Sequence, residues 1–242
     1  MSGKKEGVIT AQRGAERFRT KIDWLDGRHS FSFGPHWDPD NTHHGLLLVN
    51  NEDRVRPASG FSTHPHRDMI VTWMLSGELE HKDSEGHVGV VYPGLAQRMS
   101  AGSGIWHSEI NNSKSVEAHL VQMWVTPDAD SIAPGYEQLD INSELAKGGL
   151  VPVASGRDDL AAIRIRQKDA TLWAGRLAPG ATARIPEASH VHVFVAKGSG
   201  VLAGAGEFRQ GDAARLVRAG SPSWTAGPEG SEILIWQTDV DQ

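Results

Sequence analysis

Short apolar segments recur along the chain, and glycine or proline separates each from the next. They do not repeat at helical spacing, whereas strands of about four to eight residues bounded by turn residues produce this pattern. The chain is therefore predicted to be all-β, as a sandwich or barrel. The clearest of these segments are residues 30–33, 45–49, 70–75, 119–125, 161–165, 172–177, 191–196 and 233–236.

The two halves of the chain share one arrangement of strands and glycines. A strand, a glycine turn, a second strand and a glycine corner occupy residues 75–94 and again residues 196–212. This repetition predicts two stacked β-barrels that arose by internal duplication. After Pro127 the pattern of short apolar segments is interrupted, and residues 143–146 are compatible with a short helix. The predicted domains are an N-terminal barrel at 1–130, a linker at 131–149 and a C-terminal barrel at 150–242.

Composition and charge exclude several classes of function. The 242-residue chain has a formal net charge of −6 and no long basic run, so neither nucleic acid nor a membrane surface is expected as partner. Cysteine is absent, which excludes disulfides, zinc–thiolate sites and thiol nucleophiles. No apolar stretch follows the charged start of the chain, and none reaches the about 18–20 residues of a membrane helix. The protein is expected to be soluble and cytoplasmic.

Two dyads carry the clearest chemical signal, His64-Pro65-His66 and His107-Ser108-Glu109. Each places two metal-binding side chains at i and i+2, which is the same face of a strand. Two strands could therefore bring three imidazoles and a carboxylate to one point inside the first barrel. This ligand set suits Fe(II), Mn(II), Ni(II), Cu(II) or Zn(II), and the residue types alone do not choose among them. The sequence has no nucleophile elbow, phosphate-binding loop or dinucleotide fingerprint, so metal-centred chemistry is the only kind it supports.

The remaining histidines are predicted to have no part in that site. His43 and His44 are adjacent, so on a strand they would point to opposite faces. His81 is predicted to be a solvated hairpin position. His190 and His192 have the spacing of a dyad, but no His-x-Glu motif follows them, so they are predicted to be ordinary strand residues in a filled second barrel.

Four motifs together resemble the pirin family. They are FSTHPHRDM at 61–69, EHKDSEG at 80–86, PGLAQRMSAG at 93–102 and GIWHSE at 104–109. The resemblance implies a bicupin, two face-to-face barrels of the double-stranded β-helix or jelly-roll type, with one metal in the N-terminal barrel and a degenerate C-terminal barrel. It implies His64, His66, His107 and Glu109 as ligands of one divalent transition metal. Fe(II) is favoured, with Cu, Ni, Mn, Co or Zn as alternatives.

The sequence departs from the family pattern at two places. Bacterial relatives usually carry a glutamate after the motif that ends at Met69, whereas here Ile70 follows directly, as if one residue were missing. Such a deletion within a strand would turn later side chains over unless a bulge absorbed it. It also leaves Glu109 as the carboxylate of the site. The second departure is Trp106, where a basic or polar residue is common.

The resemblance further implies quercetin 2,3-dioxygenase activity, with a flavonol or catechol-like substrate, dioxygen, ring opening and release of carbon monoxide. In this hypothesis Glu109 is both ligand and general base for the flavonol hydroxyl. The pocket is predicted to be lined by Phe61, Met74, Met99 and Trp106. One alternative is a non-enzymatic metal or redox sensor that binds a regulatory protein partner, because some family members are transcriptional cofactors. Another is a metal-dependent isomerase or hydrolase.

Overall fold

The computed structural model describes residues 7–129, 132–157 and 161–239, so the charged start of the chain at 1–6 lies outside it. Strands dominate the described residues, as the alternating segments predict. The first half contains β1 (Val8–Gln12), β2 (Phe18–Lys21), β3 (Leu25–His29), β4 (Leu47–Val55), β5 (Ser59–His66), β6 (Met69–Ser76), β7 (Leu79–Asp83), β8 (Val88–Val91), β9 (Leu95–Ser100), β10 (Ile105–Asn111) and β11 (Ala118–Val125). The second half contains β12 (Gly135–Asp140), the short helix α1 (Asn142–Leu145), β13 (Leu150–Ser155), β14 (Ile163–Arg164), β15 (Ala170–Leu177), β16 (Thr182–Arg184), β17 (His190–Leu202), β18 (Gly206–Arg209), β19 (Ala213–Val217) and β20 (Ser223–Thr238).

These strands form three sheets. A four-stranded sheet has the order β5-β10-β7-β8, and a seven-stranded sheet has the order β12-β9-β6-β11-β4-β3-β2. The third follows the path β1-β19-β17-β20-β15-β13-β14, with β16 on β20 and β18 on β17. Apolar side chains of the first two sheets pack against each other and close the first barrel. The all-β bicupin prediction is confirmed.

The interior of the first barrel is layered along its strands. On β6 the inward residues are Ile70, Thr72 and Met74, and the two apolar ones belong to different core clusters. Leu95, Gln97 and Met99 repeat this order on β9, and Leu120, Gln122 and Trp124 repeat it on β11. A polar belt therefore lies between two apolar layers, because each strand places a polar residue midway along its inward face.

The second barrel has an apolar interior. On β17, Val191, Val193 and Val195 face a core that includes Phe208 and Trp224. The opposite face of the same strand, with Phe194, packs in a different cluster between the seven-stranded and nine-stranded sheets. One face of β17 thus fills the second barrel and the other joins the two halves of the protein.

Strands β1 and β12 each pair with a strand outside their own predicted domain. Strand β1 pairs with β19 in the nine-stranded sheet, although it precedes the first barrel in sequence. Strand β12, within the predicted linker, pairs with β9 as the edge of the seven-stranded sheet. The division at 130 and 150 stays a prediction for the folding units, and it does not describe the sheets. Over the part of the chain that the structure describes, no helix combines the length and apolar character needed to cross a bilayer.

Candidate metal centre

Two neighbouring strands of the four-stranded sheet, β5 and β10, carry the predicted ligands. In the antiparallel pair β5–β10, His107 lies opposite His64 and Ile105 lies opposite His66. A register shift between His107 and Glu109 gives β5 an extra residue at this point, so Phe61 lies opposite Glu109. This bulge lets Phe61 and His64, which are three residues apart, face the same side.

The three predicted imidazoles form a compact cluster. The ring centroids of His64 and His107 are 4.5 Å apart, those of His66 and His107 5.3 Å, and those of His64 and His66 5.6 Å. One ring nitrogen of each lies within 4.8 Å of those of the other two. The turn before β10 requires glycine, because Gly102 has a φ of +56° and a Cβ there would stand 2.1 Å from the Ile132 carbonyl oxygen.

The ring nitrogens of the three imidazoles have different surroundings. His64 Nδ1 is 2.8 Å from the Ser62 carbonyl oxygen, so it donates there and leaves Nε2 as the lone-pair donor. His66 Nδ1 is 3.0 Å from Asp68 Oδ2. The two atoms are within ion-pair distance, but their geometry does not make a hydrogen bond. Both ring nitrogens of His107 are buried and have no hydrogen-bond partner among the described residues. Burial, followed by the neighbouring His64 and His66, lowers the pKa of His107 to about 3.

Glu109 is buried in the first barrel and is 3% exposed. The Gln122 amide donates to Glu109 Oε2 at 2.7 Å, and the Thr72 hydroxyl lies 3.4 Å from Oε1. Burial raises the pKa of the Glu109 carboxyl. A carboxyl oxygen of Glu109 lies within 4.8 Å of ring nitrogens of His107 and His81. At this limit of 4.8 Å, Glu109 forms a group with His107 and His81, and not with His64, His66 and His107 together.

His81 is not the solvated hairpin residue that the sequence predicts. It is 1% exposed and lies opposite Glu109 in the β7–β10 pair, so it faces the barrel interior. Its Nε2 is 3.2 Å from Asp83 Oδ2, and its ring stacks on Tyr136 at 4.9 Å. The i, i+2 spacing of His81 and Asp83 on a strand was the signal that could have revealed this orientation.

The polar belt of the first barrel meets the site from the seven-stranded sheet. Thr72 lies between Gln122 on β11 and Gln97 on β9, directly opposite both. Thr72 contacts Glu109, and Gln97 Oε1 is buried without a hydrogen-bond partner among the residues described. Two members of the belt, Thr72 and Gln122, therefore contact the carboxyl group of Glu109.

Strand β6, which begins at the departure from the family pattern after Met69, keeps a regular alternation of inward and outward side chains. Ile70, Thr72 and Met74 pair with β11 without interruption, and the register shift on β6 comes only at Leu75, between the Met74 and Ser76 pairs. The inward residues near the site are therefore positioned by an unbroken segment of strand.

His192 is buried but does not point into the second barrel. It shares a face of β17 with Phe194 and lies between the sheets, where its ring centroid is 5.7 Å from that of Phe31. The His190 ring is 5.3 Å from that of His44, on the same side. The second barrel is filled, as predicted, but by the alternate residues of the strand and not by this histidine pair.

An open cavity of about 680 Å³ adjoins His66. Trp106 and Trp124 contribute to its walls, and the Trp124 ring meets the His66 ring edge-on at 4.5 Å. Trp106 is 55% exposed, whereas Met74 and Met99 are core residues at 0% and 1%. The lining residues are Pro65, His66, Arg67, Asp68, Ser103, Gly104, Ile105, Trp106 and Trp124. The cavity connects solvent to the histidine cluster along an aromatic wall.

Asp53 is another buried carboxyl in the first half of the chain, opposite Leu120 on β11. Its Oδ1 has no hydrogen-bond partner within the described residues. Burial raises the pKa of Asp53 to about 7, against the opposing effect of the Arg17 charge. Between the ordinary carboxyl pKa and about 7, the folded protein holds a proton that the unfolded chain has lost. The free energy of unfolding therefore falls as pH rises through this window and levels off above it.

Asp53→Asn is expected to remove that pH dependence. The variant should be more stable than the parent by about 2–4 kcal/mol above pH 7, and the difference should shrink towards zero near pH 4. Urea unfolding at a series of pH values measures it. A stability difference that stays constant across the series would contradict the assignment.

A family model and several known proteins are similar to this chain. The family model described as Pirin matches residues 11–125. A Mycobacterium tuberculosis H37Rv protein named "Putative quercetin 2,3-dioxygenase" is 54% identical over 232 residues, which cover 95% of each chain. The Escherichia coli K12 protein named "Quercetin 2,3-dioxygenase" is 43% identical over 132 residues, covering 54% of this chain and 57% of its own.

Two solved structures show the same architecture. The bacterial pirin YhhW of Escherichia coli, in complex with nickel(II), superposes with a TM-score of 0.87 at 31% identity, covering 96% of this chain and all of its own. A quercetin 2,3-dioxygenase from Acinetobacter baumannii superposes with a TM-score of 0.73 at 23% identity, covering 97% of this chain and 88% of its own. At that identity the second likeness shows the fold alone.

Proposed function

This chain belongs to the pirin family, and from that premise we propose that it is a metal-dependent dioxygenase that opens flavonols such as quercetin and releases carbon monoxide. The observation that supports this most directly is the convergence of His64, His66 and His107 beside a buried carboxylate and an open aromatic cavity.

The donor set fits a divalent transition metal. His107 is buried with both ring nitrogens unpartnered by other described residues, and the low pKa of its ring keeps it neutral at physiological pH. A neutral imidazole with an unpartnered ring nitrogen is the form that coordinates metal. We assign His64, His66, His107 and Glu109 as ligands, a set that suits several divalent transition metals, and we assign Fe(II) as the metal on the family resemblance. When bound, the ion would acidify the flavonol hydroxyl and support reaction with dioxygen.

The protein's own contribution is orientation and proton transfer. Trp106 and Trp124 offer flat apolar surfaces on which a planar aromatic substrate can stack as it approaches His66. Glu109 is the group assigned to take the hydroxyl proton, because its buried carboxylate has a raised pKa and so binds a proton more readily than a solvated one. The apolar layers above and below the polar belt limit the entry of water. The lack of cysteine is compatible with a reducing cytoplasm as the compartment of this reaction.

Aerobic incubation with Fe(II) and quercetin tests the proposal. The parent protein should consume dioxygen and release carbon monoxide, and His64→Ala should lose both, because it removes one of the three clustered donors. His43→Ala is the matched control, since it removes an exposed imidazole outside the cluster. Full metal occupancy without turnover of any flavonol would refute the proposed activity and favour the regulatory alternative.

A further inference from the structure

The imidazole of His81 has the surroundings of a metal ligand although it lies outside the predicted set. It is buried, and its Nδ1 has no hydrogen-bond partner in the part of the chain that the structure describes. Its other nitrogen, Nε2, faces Asp83 Oδ2 at 3.2 Å, and the side chain of Asp83 is fully buried. Ligand histidines commonly donate one ring N–H to a carboxylate in this way, which leaves the second nitrogen free for the metal.

The free donors around His107 fall into two groups. On one side are His64 and His66, of which His66 lines the open cavity. On the other side are His81 and Glu109, both buried and opposite each other on neighbouring strands. In each group the ligand atoms, together with one of His107, lie within 4.8 Å of one another. His107 itself belongs to both groups.

We propose that His81 is a fifth metal donor, and that the centre consists of two overlapping positions that share His107 and Glu109. The outer position is the assigned set of His64, His66, His107 and Glu109, and the inner position is formed by His81, His107 and Glu109. The inference rests on the proposed metal site and extends it. Since one histidine serves both positions, and two divalent ions so close would repel, the chain holds one ion at a time.

The inner position should retain metal when the outer one is removed. His64→Ala/His66→Ala takes two donors from the outer group and none from the inner group. With Co(II) as the probe, equilibrium dialysis should still show one ion per chain, and visible absorption should report its coordination. Adding His81→Ala to the double variant should abolish this binding. His43→Ala, added to the same double variant, controls for loss of an exposed imidazole and should leave the binding unchanged.

Asp83→Asn provides a milder variant in case His81→Ala does not fold, which circular dichroism would reveal. Placed in the double variant, it should weaken Co(II) binding by about 10–100-fold, because the carboxylate no longer orients the His81 ring. If the parent binds Co(II) but the double variant binds none, or binds it equally well without His81, the inner position is refuted while the proposed metal site stands. If the parent binds neither Co(II) nor Fe(II), the proposed function fails together with the inference.

Discussion

Glu109→Gln is expected to lower kcat for flavonol ring opening by about 10²–10⁴-fold, the range that a lost general base produces. The amide has the shape of the carboxylate, and its oxygen can still accept the hydrogen bond that Gln122 donates at 2.7 Å in the parent. The fold should therefore persist. What disappears is a negative, proton-accepting group in a site where burial has raised its pKa.

Activity per bound metal ion separates this role from simple loss of a ligand. The metal content of Glu109→Gln should be measured alongside carbon monoxide release, and the rate expressed per ion. Glu80→Gln is the control. It removes a carboxylate on the adjacent strand β7, and that carboxylate pairs with Lys82 rather than facing the site. It should stay within about twofold of the parent. A Glu109→Gln rate per ion close to the parental rate would rule out Glu109 as the base.

The two dyads could be found from the sequence because their geometry is local. A spacing of two on a strand guarantees a common face, so His64 with His66 and His107 with Glu109 needed no knowledge of distant residues. The structure brings the three histidines together as expected. Whether Glu109 completes their coordination stays a prediction.

The same spacing rule does not predict where a buried face of a strand packs. His192 has the spacing of a dyad, yet its face of β17 packs between the sheets rather than in the second barrel. Periodicity groups residues by face but does not say what that face contacts, because the contact depends on how the sheets stack.

His81 was missed for a related reason. Its proximity to Glu109 arises from the register of β7 against β10, which joins residues far apart in the chain. Hairpin-like composition around Asp83 favoured a solvated position, and only the pairing shows that the side chain faces inward. The partners of the polar belt, such as Thr72 and Gln122, depend on strand register in the same way.

Replacing Arg17 with methionine is expected to lower the free energy of unfolding by about 3–5 kcal/mol, the cost of leaving a buried charge without its partner. The guanidinium side chain has no solvent exposure and donates to Glu52 Oε2 at 2.8 Å. It also donates to the Arg28 carbonyl at 2.8 Å, and it lies 4.9 Å from the centre of the Phe194 ring in the second half of the protein. Its loss thus removes contacts within the first barrel and between the halves.

The double variant Arg17→Met/Glu52→Gln tests whether the stranded carboxylate causes the loss. His119 Nε2 lies 2.9 Å from Glu52 Oε1, so a glutamine can still accept a hydrogen bond there. The double variant should recover part of the stability in urea unfolding, because the unpaired charge of Glu52 is gone. Arg56→Met is the control: Arg56 and Asp23 are 3.1 Å apart with side chains 62% and 94% exposed, and breaking that pair should change stability by less than about 1 kcal/mol. If Arg17→Met and Arg56→Met have equal effects, burial of the Arg17 pair does not stabilise the fold in the way argued.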